Sequence, residues 1–251
     1  KKVPKQKMGR PPVLTGSEIV TILFWGTFVL HSHSLKTIYN VMSHQYSHYF
    51  RFPDYSSFVR ECHKAIPLLM EILKASFGSS NIQFVDSTPI EVCKLYRSHT
   101  HKVAKGVAAF CKNHQGWHFG FKLHAAVDKE GKLCGIVFTP GDVYDAQALP
   151  KLALGNKNAK IFVGDSHYGA RVMRQRMWKE YGIFVLAPSH YKQRTGLACF
   201  WQNQLLKMRK TIETSFGKMK ERFLLQTHLP RSLSGYLLHY LRVLIAYQFS
   251  L

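Results

Sequence analysis

Acidic residues are scarce in this sequence. Its 251 residues include 14 Asp and Glu against 35 Lys and Arg, a formal net charge of +21. A surface tuned only for solubility usually mixes both signs, so this excess points to a polyanionic partner, nucleic acid above all. Cysteine is sparse too. Cys62, Cys93, Cys111, Cys134 and Cys199 make an odd count, with no two at C-x-x-C spacing. That pattern suggests neither a disulfide framework nor a zinc ribbon, and a reducing, intracellular location fits. The apolar run Ile19 to Leu30 is only twelve residues long and contains Gly26, too short to cross a bilayer. It follows a basic arm (Lys1, Lys2, Lys5, Lys7 and Arg10, with Pro4, Pro11 and Pro12), as in a secretory leader. However, Glu18 sits at the junction and His31-Ser32-His33-Ser34 offers no small-residue cleavage site. The run reads instead as a buried helix entered through Thr15 or Ser17. Because the chain opens on Lys1, an earlier start is expected. Metal-ligand pairs are also few: His99 with His101, or His114 with His118, stand alone, so loop histidines facing phosphate or solvent are expected there.

What is present begins with ample apolar residues, enough to bury a large core as one big domain or a catalytic domain with a smaller partner. Ser34 to Met42 and Ser56 to Ile66 read as helices. A further helix after Pro67 runs through Leu68, Leu69, Ile72 and Leu73 and closes at Gly78. Residues 1–78 are therefore expected to form an all-helical N-terminal domain, a candidate helix-turn-helix that binds DNA ends, with a second domain over 79–251.

From residue 80 the periodicity changes. Ile82 to Val85 reads as a buried strand running into Asp86, and Ser87-Thr88-Pro89 is expected to stop it there. The same pattern recurs at Ile161-Phe162-Val163-Gly164-Asp165. A carboxylate at the end of a buried strand is costly unless its charge is offset. Ligands of open α/β sheets bind beyond such strand ends. Two aspartates side by side repel, and a divalent metal relieves that repulsion. Between the two patterns lies a basic loop with Lys94, Arg97, His99, His101, Lys102, Lys105 and Lys112. A hairpin follows: Trp117 to Val127, carrying His118, Lys122 and His124, turns at Asp128-Lys129-Glu130-Gly131 into Leu133 to Thr139. Asp145 to Leu154 reads as a short helix with Asp145 as its cap or first-turn acid. Ala170 to Tyr181 reads as a basic helix with Arg171, Arg174, Arg176 and Lys179, and Ile183 to Ala187 as a last strand. This order predicts a mixed five-stranded sheet with Asp86 beside Asp165. Asp142, two strands from Asp86, lies too far away to share an ion pair with it.

Leu205 to Leu225 is the clearest helix. Leu205, Met208, Ile212, Phe216, Met219 and Phe223 form a stripe expected to pack on the sheet. Arg209, Glu213 and Lys220 flank it, which places Glu213 half-buried at the sheet boundary. Alone, Arg209 and Glu213 at i, i+4 spacing read as a surface ion pair. Beside two strand-end aspartates they complete a cluster of three carboxylates.

With these residues the chain resembles the DDE transposases of bacterial insertion sequences, from about residue 80 to 225. The motifs are V-D-S-T-P-I around Asp86, V-G-D-S-H-Y around Asp165, and Arg209-x3-Glu213-x6-Lys220. The resemblance implies an RNase H-like fold and catalytic, metal-binding Asp86, Asp165 and Glu213. It implies two Mg²⁺ ions, with Mn²⁺ able to substitute, cleavage at element ends, and transfer of 3′-hydroxyl ends into target DNA. It carries the family's Arg and Lys to Arg209 and Lys220. With them, Lys102, Lys105, Lys122, Arg171 and Arg174 are the expected contacts to double-stranded DNA. A dimer or larger assembly on DNA, and a nucleoid-associated place in the bacterial cytoplasm, are expected as well. Two positions depart from the pattern. Leu206 stands where many relatives have a tyrosine, and His167-Tyr168 where relatives often show Gly-Tyr, so a differently shaped turn after Asp165 is expected. A metal-dependent nuclease without strand transfer and a non-catalytic DNA-binding protein remain open readings. An aspartyl phosphatase fits less well, because Thr88 occupies the position of its second aspartate.

Overall fold

The structure, a computed structural model, describes residues 11–113, 116–156, 158–188 and 200–251. The basic arm through Arg10, and His114 and Cys199, lie outside these. Four helices open the chain. Helix α1 (Gly16–Phe28) starts in a capping box: the Thr15 hydroxyl accepts from Glu18 N–H while the Glu18 carboxylate accepts from Thr15 N–H. Asp54 caps α3 (Tyr55–Lys64), which follows α2 (Leu35–Gln45). Pro67 sits in the first turn of α4 (Ile66–Ala75), where no intrahelical N–H is needed. Their buried faces, with Ile19, Ile22, Leu23, Ile38, Met42, Phe58, Cys62, Leu69 and Leu73, join the core built around the C-terminal helix α9 (Leu233–Gln248). Arg242 on α9 is 2% exposed and donates to the carbonyls of Ser32 and His33, tying the α1–α2 connection to the C-terminal helix. Among the described residues no helix is long and apolar enough to cross a membrane.

The sheet is mixed, with helices on both faces, consistent with an RNase H-like fold. Its strands are β1 (Ile82–Glu91), β2 (Ala109–Asn113), β3 (Gly116–Val127), β4 (Leu133–Pro140), β5 (Ile161–Val163) and β6 (Phe184–Leu186). The order is β2-β3-β1-β5-β6, with β4 also on β3. Gly120 pairs with both Glu91 and Ala109, and Lys122 with both Pro89 and Thr139, so β2 and β4 lie end to end along one edge of β3. The hairpin antiparallel to β1 and the parallel crossovers to β5 and β6 stand as the sequence predicts. Helices α5 (Leu149–Leu154) and α6 (Arg171–Tyr181) cover one face, over Val85, Ala126, Phe162 and Val185. Helix α8 (Lys210–Glu221) and α9 cover the other, over Phe84, Leu123, Ala125 and Val163.

Three expectations are corrected. Among the described residues the sheet has six strands, because β2 forms inside the stretch read as a basic loop. Strand β1 does not stop at Asp86 but continues to Glu91. Val92 N–H donates to Phe119 O, which puts even-numbered amides of β1 on the β3 side. Pro89, an odd position, therefore lacks its N–H on the edge that β5 leaves open beyond Phe84, where no ladder bond is lost. Finally, the long helix is broken. Helix α7 (Phe200–Met208) and α8 are separated at Arg209, whose N–H bonds to Leu206 O and whose carbonyl accepts from Ile212 N–H, a tight 3₁₀ step. The apolar stripe is fully buried only from Ile212 onward; in α7 Leu205 packs against the core half-buried and Met208 is exposed.

Candidate active site

Parallel pairing of β1 with β5 sets Phe84 opposite Val163, two residues before Asp86 and Asp165 respectively. Asp86, inside β1 just where β5 ends, and Asp165, just past β5, thus lie at the same rim. Alternation from Phe84 points Asp86 toward α8. There Arg209 Nη1 donates to Asp86 Oδ2 at 3.0 Å and Nη2 to Glu213 Oε1 at 2.5 Å. Asp86 Oδ1 accepts from Ser87 N–H at 2.8 Å. Burial pushes the Asp86 carboxyl up to about 6, and the negative charges of Asp165 and Asp145 push the same way against the Ser87 amide and Arg209.

Asp165 caps a 3₁₀ turn, Ser166–Tyr168. Its Oδ1 accepts from His167 N–H at 2.9 Å and its Oδ2 from the His167 imidazole at 2.8 Å. That bond raises the imidazole pKa, so the histidine at this position acts as a counter-ion to Asp165. Gly164 lets the turn close tightly: a Cβ there would come within 2.6 Å of the Tyr168 ring. Tyr168 is buried, and its hydroxyl has no partner among the described residues.

A fourth carboxylate belongs to this cluster. Asp145 is the first-turn acid of the 3₁₀ turn Asp145–Ala148, one of its two expected roles, but it makes no capping bond there. Its Oδ1 instead accepts from Ser87 Oγ at 2.8 Å and Lys122 Nζ at 3.0 Å, and Lys122 also donates to Val143 O at 2.9 Å. Lys122, like Ala126, projects to the face opposite α8, so Asp145 reaches the rim from the other side of β1. Tyr144 OH donates to His167 O, joining this loop to the Asp165 turn. One signal was available: a lone lysine within an alternating strand needs an acid nearby. Asp142 is exposed on the loop after β4.

The other expected site residues divide. Arg209, Glu213 and Lys122 are gathered with the aspartates, although Glu213 is exposed rather than half-buried, because it projects outward from α8 toward Arg209. Lys220 is half-buried two turns farther on, near Glu91, which itself pairs with His118. His118 is thus a strand residue with a carboxylate partner rather than a loop histidine. Arg174 spends one guanidinium nitrogen on Ala187 O at 3.0 Å. Lys102, Lys105 and Arg171 are exposed.

Among the described residues no three His, Cys, Asp or Glu side chains converge closely enough to hold an ion as they stand; Arg209 holds Asp86 and Glu213 instead. The donor chemistry nevertheless fits a hard divalent cation: all four acids offer oxygen, and they crowd one rim with mutually repelling charge. A family model described as a transposase DDE domain matches residues 77–232. A comparison with curated proteins found no match to the chain.

Proposed function

The chain belongs to the transposase DDE-domain family, and from that premise we propose that it cuts DNA at the ends of a bacterial insertion sequence and transfers the 3′-hydroxyl ends into target DNA. The observation that supports this reading best is that Asp86 and Asp165 lie on neighbouring strands, with Arg209 bridging Asp86 and Glu213. Enzymes of this family generally use divalent metals. Asp86, Asp165 and Glu213 would hold two Mg²⁺ ions, or Mn²⁺ in their place. Ions held there would supply activation of the attacking water or 3′-hydroxyl and stabilisation of the departing oxygen.

The chain's own residues prepare that chemistry. Arg209 lies between Asp86 and Glu213, and once those carboxylates are engaged its guanidinium is free to take a phosphate oxygen in a bidentate fork. Lys122, held at the rim by Asp145 and Val143 O, presents a second cation toward the same phosphodiester. His167 holds the Asp165 carboxylate in one orientation. In this reading Lys220, Lys102, Lys105, Arg171 and Arg174 grip backbone phosphates without reading sequence. The enzyme works as a dimer or larger on duplex DNA, in the bacterial cytoplasm.

The test is incubation of the purified chain with labelled duplex carrying the inverted repeats that flank its gene, with Mg²⁺. Cleaved and joined products are expected. Cleavage that never yields joined products would reassign the chain as a nuclease, and binding with neither product as a DNA-binding protein.

A further inference from the structure

A second basic site lies beyond the far end of β1, away from the acidic rim. Just past Glu91 the chain encloses a cavity of about 450 Å³ lined by Lys94, Arg97, Thr100, His101, Lys102 and His228, among other residues. Its lining contains no carboxylate. Lys94, Arg97 and Lys102 are exposed, and none of them forms an ion pair among the described residues. Glu91, the acid beside the cavity, is already engaged by His118 at 2.5 Å. Two imidazoles, His101 and His228, line it, and His101 Nε2 is buried without a hydrogen-bond partner among the described residues. Three fixed cations, an orphaned ring nitrogen and no counter-charge form a site for an anion.

We infer that this cavity holds a backbone phosphate of the same DNA whose phosphodiester is cut at Asp86. Strand β1 joins the two places directly. The five residue steps from Asp86 to Glu91 span about 16–17 Å at strand rise, and the cavity opens just beyond. At about 3.4 Å per nucleotide along one strand, the phosphate gripped here lies roughly five or six nucleotides from the cleaved bond. The cavity then fixes the register of the DNA while the rim carries out the reaction. The inference rests on the DNA reading above, but binding and cleavage can fail separately.

The experiment uses the full chain and a labelled duplex, with affinity followed by anisotropy across a NaCl series. The test variant combines Lys94→Ala, Arg97→Ala and Lys102→Ala. A control removes three charges at the opposite end of the sheet, with Lys74→Ala, Lys129→Ala and Lys160→Ala. Each lost phosphate contact lowers the log–log salt slope by about 0.9. The cavity variant is expected to lose one to three units of slope and about tenfold or more in affinity, with the control close to wild type. Ethylation interference should lose the signal five or six nucleotides from the cleaved bond in the cavity variant alone. Slope and affinity equal to the control's would overturn the inference, whether or not the wild-type chain cleaves. Loss of slope in the cavity variant supports it even if cleavage is never seen, an outcome that would count only against the transposase reading.

Discussion

At the scale of single residues, every carboxylate of the rim is held by the chain itself: Asp86 and Glu213 by Arg209, Asp145 by Lys122 and Ser87, Asp165 by His167. These partners make the acids distinguishable by substitution. Asp145→Asn keeps the shape but weakens the hold on Lys122, so cleavage is expected to fall about tenfold, or about 1.4 kcal/mol in the barrier. Asp142→Asn, on an exposed loop, is expected to stay near wild type. Single-turnover rates on labelled duplex check both, and equal rates would remove Asp145 from the site. Arg209→Gln is expected to cost about a hundredfold in cleavage rate, the size of effect seen when one preorganised donor to a reacting oxygen is removed. A wild-type rate in that variant would leave Arg209 as an ordinary surface ion pair. The sequence carried Asp86, Asp165 and Arg209-x3-Glu213 openly, because strand ends and helical spacing are local patterns. Asp145 was hidden, since its partners Ser87 and Lys122 come from strands far along the chain and nothing near residue 145 announces them.

At the scale of elements, the sheet's centre was legible and its extensions were not. Alternation and the Asp128–Gly131 turn predicted the β3–β4 hairpin, and the repeated strand-to-aspartate pattern placed β1 beside β5. The continuation of β1 to Glu91 depends on which edge of the strand lacks a partner, a tertiary fact that Pro89 alone does not reveal. Strand β2 was obscured by its basic neighbours, although Phe110 and Cys111 alternate between exposed and buried as a strand requires. The break at Arg209 escaped because apolar periodicity runs through it unchanged; what differs is that α7 buries none of its residues fully. Gly120 tests the element-level account. A Cβ there would meet Ile90 O at 2.1 Å, a backbone atom that cannot yield. Gly120→Ala is expected to lower stability by about 2 kcal/mol or more, read as a shift in urea midpoint, and an unchanged midpoint would contradict the β1–β3 register.

At the scale of the whole molecule, the N-terminal helices and the sheet share one core through α9. Deleting residues 1–78 would uncover α9, so end recognition by the helical region is better probed by surface substitutions than by truncation. The buried face of α9 also makes stability depend on pH. Burial, reinforced by the Arg242 charge, lowers the His239 pKa to about 3 from the ordinary 6.5. Between those values the unfolded chain binds a proton that the folded chain refuses, so stability is full above about pH 6.5 and falls as pH drops. His124, lowered to about 4 mainly by burial, acts in the same direction. At pH 5 His239 alone is expected to cost about 2 kcal/mol; equal urea midpoints at pH 7.5 and pH 5 would contradict this. The central claim is that the Asp86–Asp165 rim is a metal-dependent phosphodiester centre. It is tested most directly by cleavage of labelled duplex by wild type and Asp165→Asn, each with Mg²⁺ and with a chelator. The account predicts cleavage by wild type with Mg²⁺ alone, and DNA affinity unchanged in the variant. Cleavage by Asp165→Asn at the wild-type rate, or wild-type cleavage that survives the chelator, would contradict it.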